Sequence, residues 1–109
     1  MSADEKKVVI EPFQIRVTDP EIEAEYEIYG DAPVQAIGTV FGRTVYFRAR
    51  HDEWSFEVAD EADNLPSDGQ AGPTGFFKTA NYAKASYMPL TEALKIVEEG
   101  LHEFANRAR

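Results

Sequence analysis

The chain of 109 residues has no cysteine. A disulfide framework and thiolate chemistry are therefore excluded, and the composition is compatible with the cytoplasm, the expected compartment. No apolar run approaches the roughly 20 residues of a membrane span. The start of the chain is charged and lacks the apolar core of about 7–15 residues that marks a signal peptide. There is no G-x-S-x-G, no G-x-G-x-x-G and no phosphate loop. The glycines of 69–75 surround Pro73 and are not followed by Lys-Ser/Thr. Histidine is scarce, with only His51 and His102, and neither H-x-x-x-H nor an EF-hand loop occurs. No metal, no cofactor and no catalytic set is expected, so the chain reads as a non-enzyme.

Positive charge is missing from two stretches. Residues 19–31 hold six acids and no Lys or Arg, and residues 52–68 hold seven more, again without a base. Of 20 acids this leaves seven against eleven bases elsewhere, within a net charge of −9. Two acidic segments on a mildly basic body disfavour direct nucleic-acid binding. The plain reading of the acids is solubility. The functional one is an acidic surface, Glu21, Glu23, Glu25 and Glu27, turned toward a basic partner protein.

What is present is alternation. In 33–59 it predicts three strands joined by two tight turns. Val45, Phe47 and Ala49 alternate with Thr44, Tyr46, Arg48 and Arg50; Trp54, Phe56 and Val58 alternate with Ser55 and Glu57. Val34, Ala36 and Val40 share a face, and Ile37 breaks that pattern as if to cover an edge. Gly42 supplies the positive φ of a short turn. Residues 8–18 predict a further strand bent at Pro12 and placed at a sheet edge, with 1–7 frayed.

Residues 19–29 satisfy two templates. Ile22, Ala24, Tyr26 and Ile28 alternate with glutamates as in a strand. Yet Asp19-Pro20-Glu21 is a helix opening, and Ile22, Tyr26 and Tyr29 have helical spacing. A short helix is predicted there. Residues 60–74 are polar and turn-rich, a long acidic loop. Short strands are expected at 76–79 and 84–88, giving five or six in all. A helix is expected from Thr91, as N-cap, to Ala108, with Leu94, Val97, Leu101 and Phe104 along its apolar stripe. Gly100 marks either close packing on the sheet or a simple loss of helix propensity.

The fold class that results is α+β, a single domain over 1–109. It is an antiparallel meander packed on one face by a C-terminal amphipathic helix. Trp54 is expected inside. Its polar sheet face carries the candidate binding residues Tyr46, Arg48 and Arg50, with Arg43 beside them. Adjacent arginines beside a tyrosine suit a carboxylate, a phosphate or an acidic protein patch. The plainer alternative is that Arg48 or Arg50 pairs with Glu57, or that the 19–29 segment covers them.

Three pieces together, Pro33-Val34-Gln35-Ala36 with Gly38, Tyr46-Phe47-Arg48-Ala49-Arg50 with Trp54-Ser55, and Ala85-Ser86-Tyr87-Met88-Pro89-Leu90, resemble a group of small uncharacterised bacterial proteins. The likeness runs from Pro33 onward. It implies a bacterial or phage origin and this order of elements, and carries over no functional residue.

Three functions follow as expectations. The first is a non-enzymatic protein-binding domain of inhibitor or immunity type. The second is a small-ligand binder or weak enzyme using the Tyr/Arg face. The third is an acidic DNA mimic.

Overall fold

The computed structural model describes residues 5–30, 33–59 and 75–108. Seven strands lie in one antiparallel sheet in chain order: β1 (Lys7–Glu11), β2 (Gln14–Asp19), β3 (Ala24–Gly30), β4 (Val34–Val40), β5 (Arg43–Arg50), β6 (Glu53–Val58) and β7 (Phe76–Asn81). Helix α1 (Leu90–Ala108) packs across one face. The α+β meander with a covering helix is thus observed, and Trp54 is buried within it.

The β4–β5 and β5–β6 hairpins follow from the alternation. Phe41 and Gly42 both take positive φ, 52° and 79°, so the loop between β4 and β5 is the two-residue primed turn that matches strand twist. Ile15, Val17, Ala24, Tyr26, Ile28, Val34, Ala36, Val40, Val45, Phe47, Ala49, Phe56, Val58 and Phe76 are all buried on the helix-facing side. On α1 the fully buried line is Ala93, Val97, Gly100, Leu101, Phe104 and Ala105, with Leu94 half-buried at its flank. Rings of Phe76 and Phe104 meet edge to face, 6.1 Å apart, an arrangement that aromatic quadrupoles favour.

Several expectations are corrected. Residues 8–18 are not one bent strand but a hairpin, β1–β2, with Pro12 and Phe13 as its two-residue loop. The fixed φ of proline suits the first corner of a turn. Lys7 already belongs to β1 and Lys6 pairs with Glu98 on α1, so the frayed segment does not extend to residue 7.

The predicted helix at 19–29 is replaced by a single 3-10 turn, Pro20–Ile22, followed by β3. Glu23 adopts φ 49° and ends the turn. Asp19 makes no capping bond; it is the last residue of β2. The strand wins because it turns Ala24, Tyr26 and Ile28 all into the core between β2 and β4. A helix would bury a smaller set and hold Glu21–Glu25 and Glu23–Glu27 at repelling spacing.

Ile37 covers no edge: β4 is an interior strand, and Ile37 lies on its outer face between Glu27 and Tyr46. The last expected strand, 84–88, is a 3-10 turn, Ala85–Tyr87. The N–H groups leading into it go to the β5–β6 turn instead of to a strand, while Tyr87 and Met88 N–H close the 3-10 turn on Lys84 and Ala85. Tyr82 N–H donates to Asp52 C=O at 2.9 Å and Ala85 N–H to His51 C=O at 2.7 Å. Lys84, at φ 56°, donates its N–H to Asp52 Oδ1 at 3.0 Å. The helix starts at Leu90, so Thr91 lies in its first turn and is not the N-cap. The predicted acidic loop at 60–74 lies outside the described residues.

Candidate functional site

The face of the sheet opposite α1 holds five of the candidate residues, Glu25, Glu27, Tyr46, Arg48 and Arg50. Register fixes their neighbours. One row across it reads Val9, Arg16, Glu27, Ile37, Tyr46, Glu57, Phe77, and the next reads Glu11, Gln14, Tyr29, Gln35, Arg48, Ser55, Thr79. Arg50 stands opposite Glu53, which in turn faces Asn81 on β7.

Tyr46, Arg48 and Arg50 therefore come together, as period two requires. They line a surface groove of about 530 Å³ with Ser55, Phe77 and Thr79. The Tyr46 hydroxyl donates to Gln35 Oε1 at 3.1 Å, which fixes the ring against β4. Thr79 Oγ1 donates to the Trp54 carbonyl at 2.6 Å. Among the described residues no ion pair joins Arg48 or Arg50 to an acid. Arg48 Nε is shielded from solvent and has no hydrogen-bond partner. Leaving such a donor unsatisfied costs on the order of 1–3 kcal/mol. Glu57, opposite Tyr46, is buried.

Arg43 does not join them. It lies on the helix side, with its guanidinium carbon 5.3 Å from the centre of the Phe104 ring. Parity already separates it: 43 is odd where 46, 48 and 50 are even, so on a continuous strand its side chain leaves by the other face.

No family model, curated protein or solved structure matches this chain. The residues themselves must carry the functional reading.

The 19–29 segment does not cover the arginines, since β3 lies two strands away in the same sheet. Of its four candidate acids, Glu25 and Glu27 project on the open face. Glu21 and Glu23 are exposed in and beside the 3-10 turn. Glu27 accepts from Gln14 Nε2 at 2.6 Å. A second groove, lined by Lys7, Val9, Arg16, Glu25, Glu27 and Ile37, lies beside the first, and the Ile37–Tyr46 pair stands between them. The signal for this second groove in the sequence is the separate alternation of 7–11 and 14–19, on either side of Pro12-Phe13.

The histidines are apart. His51 sits in the β5–β6 turn, its N–H donating to Ser86 Oγ at 3.0 Å. His102 Nε2 on α1 lies 3.9 Å from Asp19 Oδ2, across the helix–sheet seam. Tyr26 is buried in the same region. Burial, and then the carboxylates of Glu98 and Asp19, push its phenol well above the ordinary tyrosine range. Among the described residues no group of three or more acids and histidines is arranged to hold a metal ion. Among them, too, no helix is long and apolar enough to cross a membrane.

Proposed function

We propose that this chain is a non-enzymatic, cytoplasmic protein-binding domain of inhibitor or immunity type. Its binding surface is the open sheet face. The observation that carries the reading is the state of Arg48 and Arg50: two guanidinium groups beside Tyr46, without an acid partner among the described residues. One of them has its Nε buried and unbonded. A planar guanidinium fork is suited to a carboxylate, so the partner presents an acidic side chain toward β5. Glu25 and Glu27, two strands or roughly 10 Å away, favour a basic group at the other end of the same contact. Because Lys7 and Arg16 interleave with these acids, charge on this face is mixed, which suits a protein surface better than imitation of a phosphate backbone.

The test is capture from lysate with immobilised wild type, the Arg48→Ala/Arg50→Ala variant and the Glu25→Gln/Glu27→Gln variant, at low and moderate salt. A stoichiometric partner held by wild type, released by salt and lost from the arginine variant is the expected result. Equal capture by wild type and the arginine variant overturns the assignment.

A second reading rests on the groove itself. Its paired arginines beside Tyr46 suit a carboxylate or phosphate ligand. A rise in Tm with a panel of small anions, absent in Arg48→Ala, would favour that reading.

A further inference from the structure

Strand β1 is an edge with nothing paired to its outer side among the described residues. All five of its residues are exposed, including Val8 at 40%, Val9 at 45% and Ile10 at 64%. Sheet edges usually carry inward charges, a bulge or a proline against pairing with another chain. Here the charges stand only at the ends, Lys7 and Glu11, and Pro12 comes after the strand.

We infer that two copies of this chain associate by pairing their β1 strands antiparallel about a two-fold axis at Val9, joining the two sheets into one. The hairpin loop sets the hydrogen bonds. A two-residue turn makes Glu11 and Gln14 the closing hydrogen-bonded pair. Alternation then spends the backbone groups of Lys7, Val9 and Glu11 on β2, and directs those of Val8 and Ile10 outward. A two-fold axis at Val9 opposes Val8 to Ile10 of the second copy, and the outward groups of both strands meet. It also opposes Lys7 to Glu11 at both ends. Val8 and Ile10 of each copy form an apolar strip on the helix side, and Val9 packs on Val9 on the open face.

Neighbouring registers are worse. An axis at Val8 sets Glu11 against Glu5, a like-charge pair that costs stability. An axis at Ile10 sets Pro12, which has no N–H, against Val8. Glu11 also lies 3.6 Å from Arg16 within its own copy, both side chains being about half exposed. Its second oxygen remains for Lys7 of the other copy. An axis perpendicular to the sheet keeps both open faces on the same side, so the assembly presents two copies of each groove together.

The experiment is sedimentation velocity over a concentration series up to about 1 mM, the weak limit of specific pairing. Wild type is expected to pass from monomer to dimer. Val9→Lys, which sets two ammonium groups against each other on the axis, is expected to be monomeric throughout while keeping its circular dichroism spectrum. Lys7→Glu is expected to weaken the dimer roughly tenfold or more, since both end pairs become repulsive. Lys7→Glu/Glu11→Lys is expected to restore it. A wild type that stays monomeric overturns the inference. So does a dimer indifferent to Val9→Lys, or a charge swap that fails to rescue.

Discussion

Gly100 of α1 lies directly against the ring of Phe56 on β6: a β-carbon there would stand 2.8 Å from both Cδ2 and Cε2. The glycine is thus a packing residue. Gly100→Ala should gain about 1 kcal/mol of helix propensity and lose roughly 1–3 kcal/mol to overpacking. A net loss near 1 kcal/mol is expected in urea unfolding. In a Phe56→Leu background the same substitution should cost less. Equal or greater stability of the single variant would show that the helix can ride up off the sheet at no cost.

Tyr26 gives the fold a sensitivity to alkali. Its phenol is held above the ordinary value of about 10 in the folded state, chiefly by burial. A folded value above the unfolded one means that the stabilisation is complete below pH ~10. It is then lost as pH rises toward the folded value, by at most about 1.4 kcal/mol per pH unit. Unfolding midpoints measured from about pH 8 to 11 should fall steeply at the top of the range for wild type. They should fall less for Tyr26→Phe. Identical slopes would sink the assignment.

Glu23 is exposed and holds φ 49° between the 3-10 turn and β3. A residue with a β-carbon is strained there by roughly 1 kcal/mol. The glycine's extra unfolded-state entropy, about 0.4–1 kcal/mol, offsets part of that relief, so Glu23→Gly should raise stability by up to roughly 0.6 kcal/mol. A drop in Tm would mean that the carboxylate does structural work.

Arg48 separates binding from folding. Its Nε is buried without a partner, so removing it relieves a cost. Arg48→Met keeps the apolar stem of the side chain and should leave stability unchanged or raise it by about 1 kcal/mol, while abolishing capture of the partner. A destabilised variant would make the arginine a structural residue.

The sequence shows the meander from β4 to β6 plainly, because Val45, Phe47, Trp54, Phe56 and Val58 keep period two without a break and Gly42 marks the turn. It shows α1 for the same kind of reason. It does not decide 19–29, where alternation and helical spacing coexist. The arbiter is the pair of neighbouring strands that takes up Ala24, Tyr26 and Ile28. Residues 84–88 are illegible locally because the N–H groups that anchor the segment, those of Lys84 and Ala85, bond to Asp52 and His51, more than thirty positions earlier. For the site, Tyr46, Arg48 and Arg50 were readable by parity. Phe77 and Thr79 required the register of β7 on β6, which no local pattern encodes.

The agreement between strand order and chain order has a consequence for synthesis. Each of β1 to β6 finds its neighbour within a few residues, so those hairpins close at little entropic cost as the chain emerges. All of them turn one apolar side toward a helix that does not yet exist. Until Val97, Leu101 and Phe104 have been translated, the nascent sheet carries an uncovered hydrophobic surface, the condition under which partly made chains aggregate. The last described element to be made is the one that hides it.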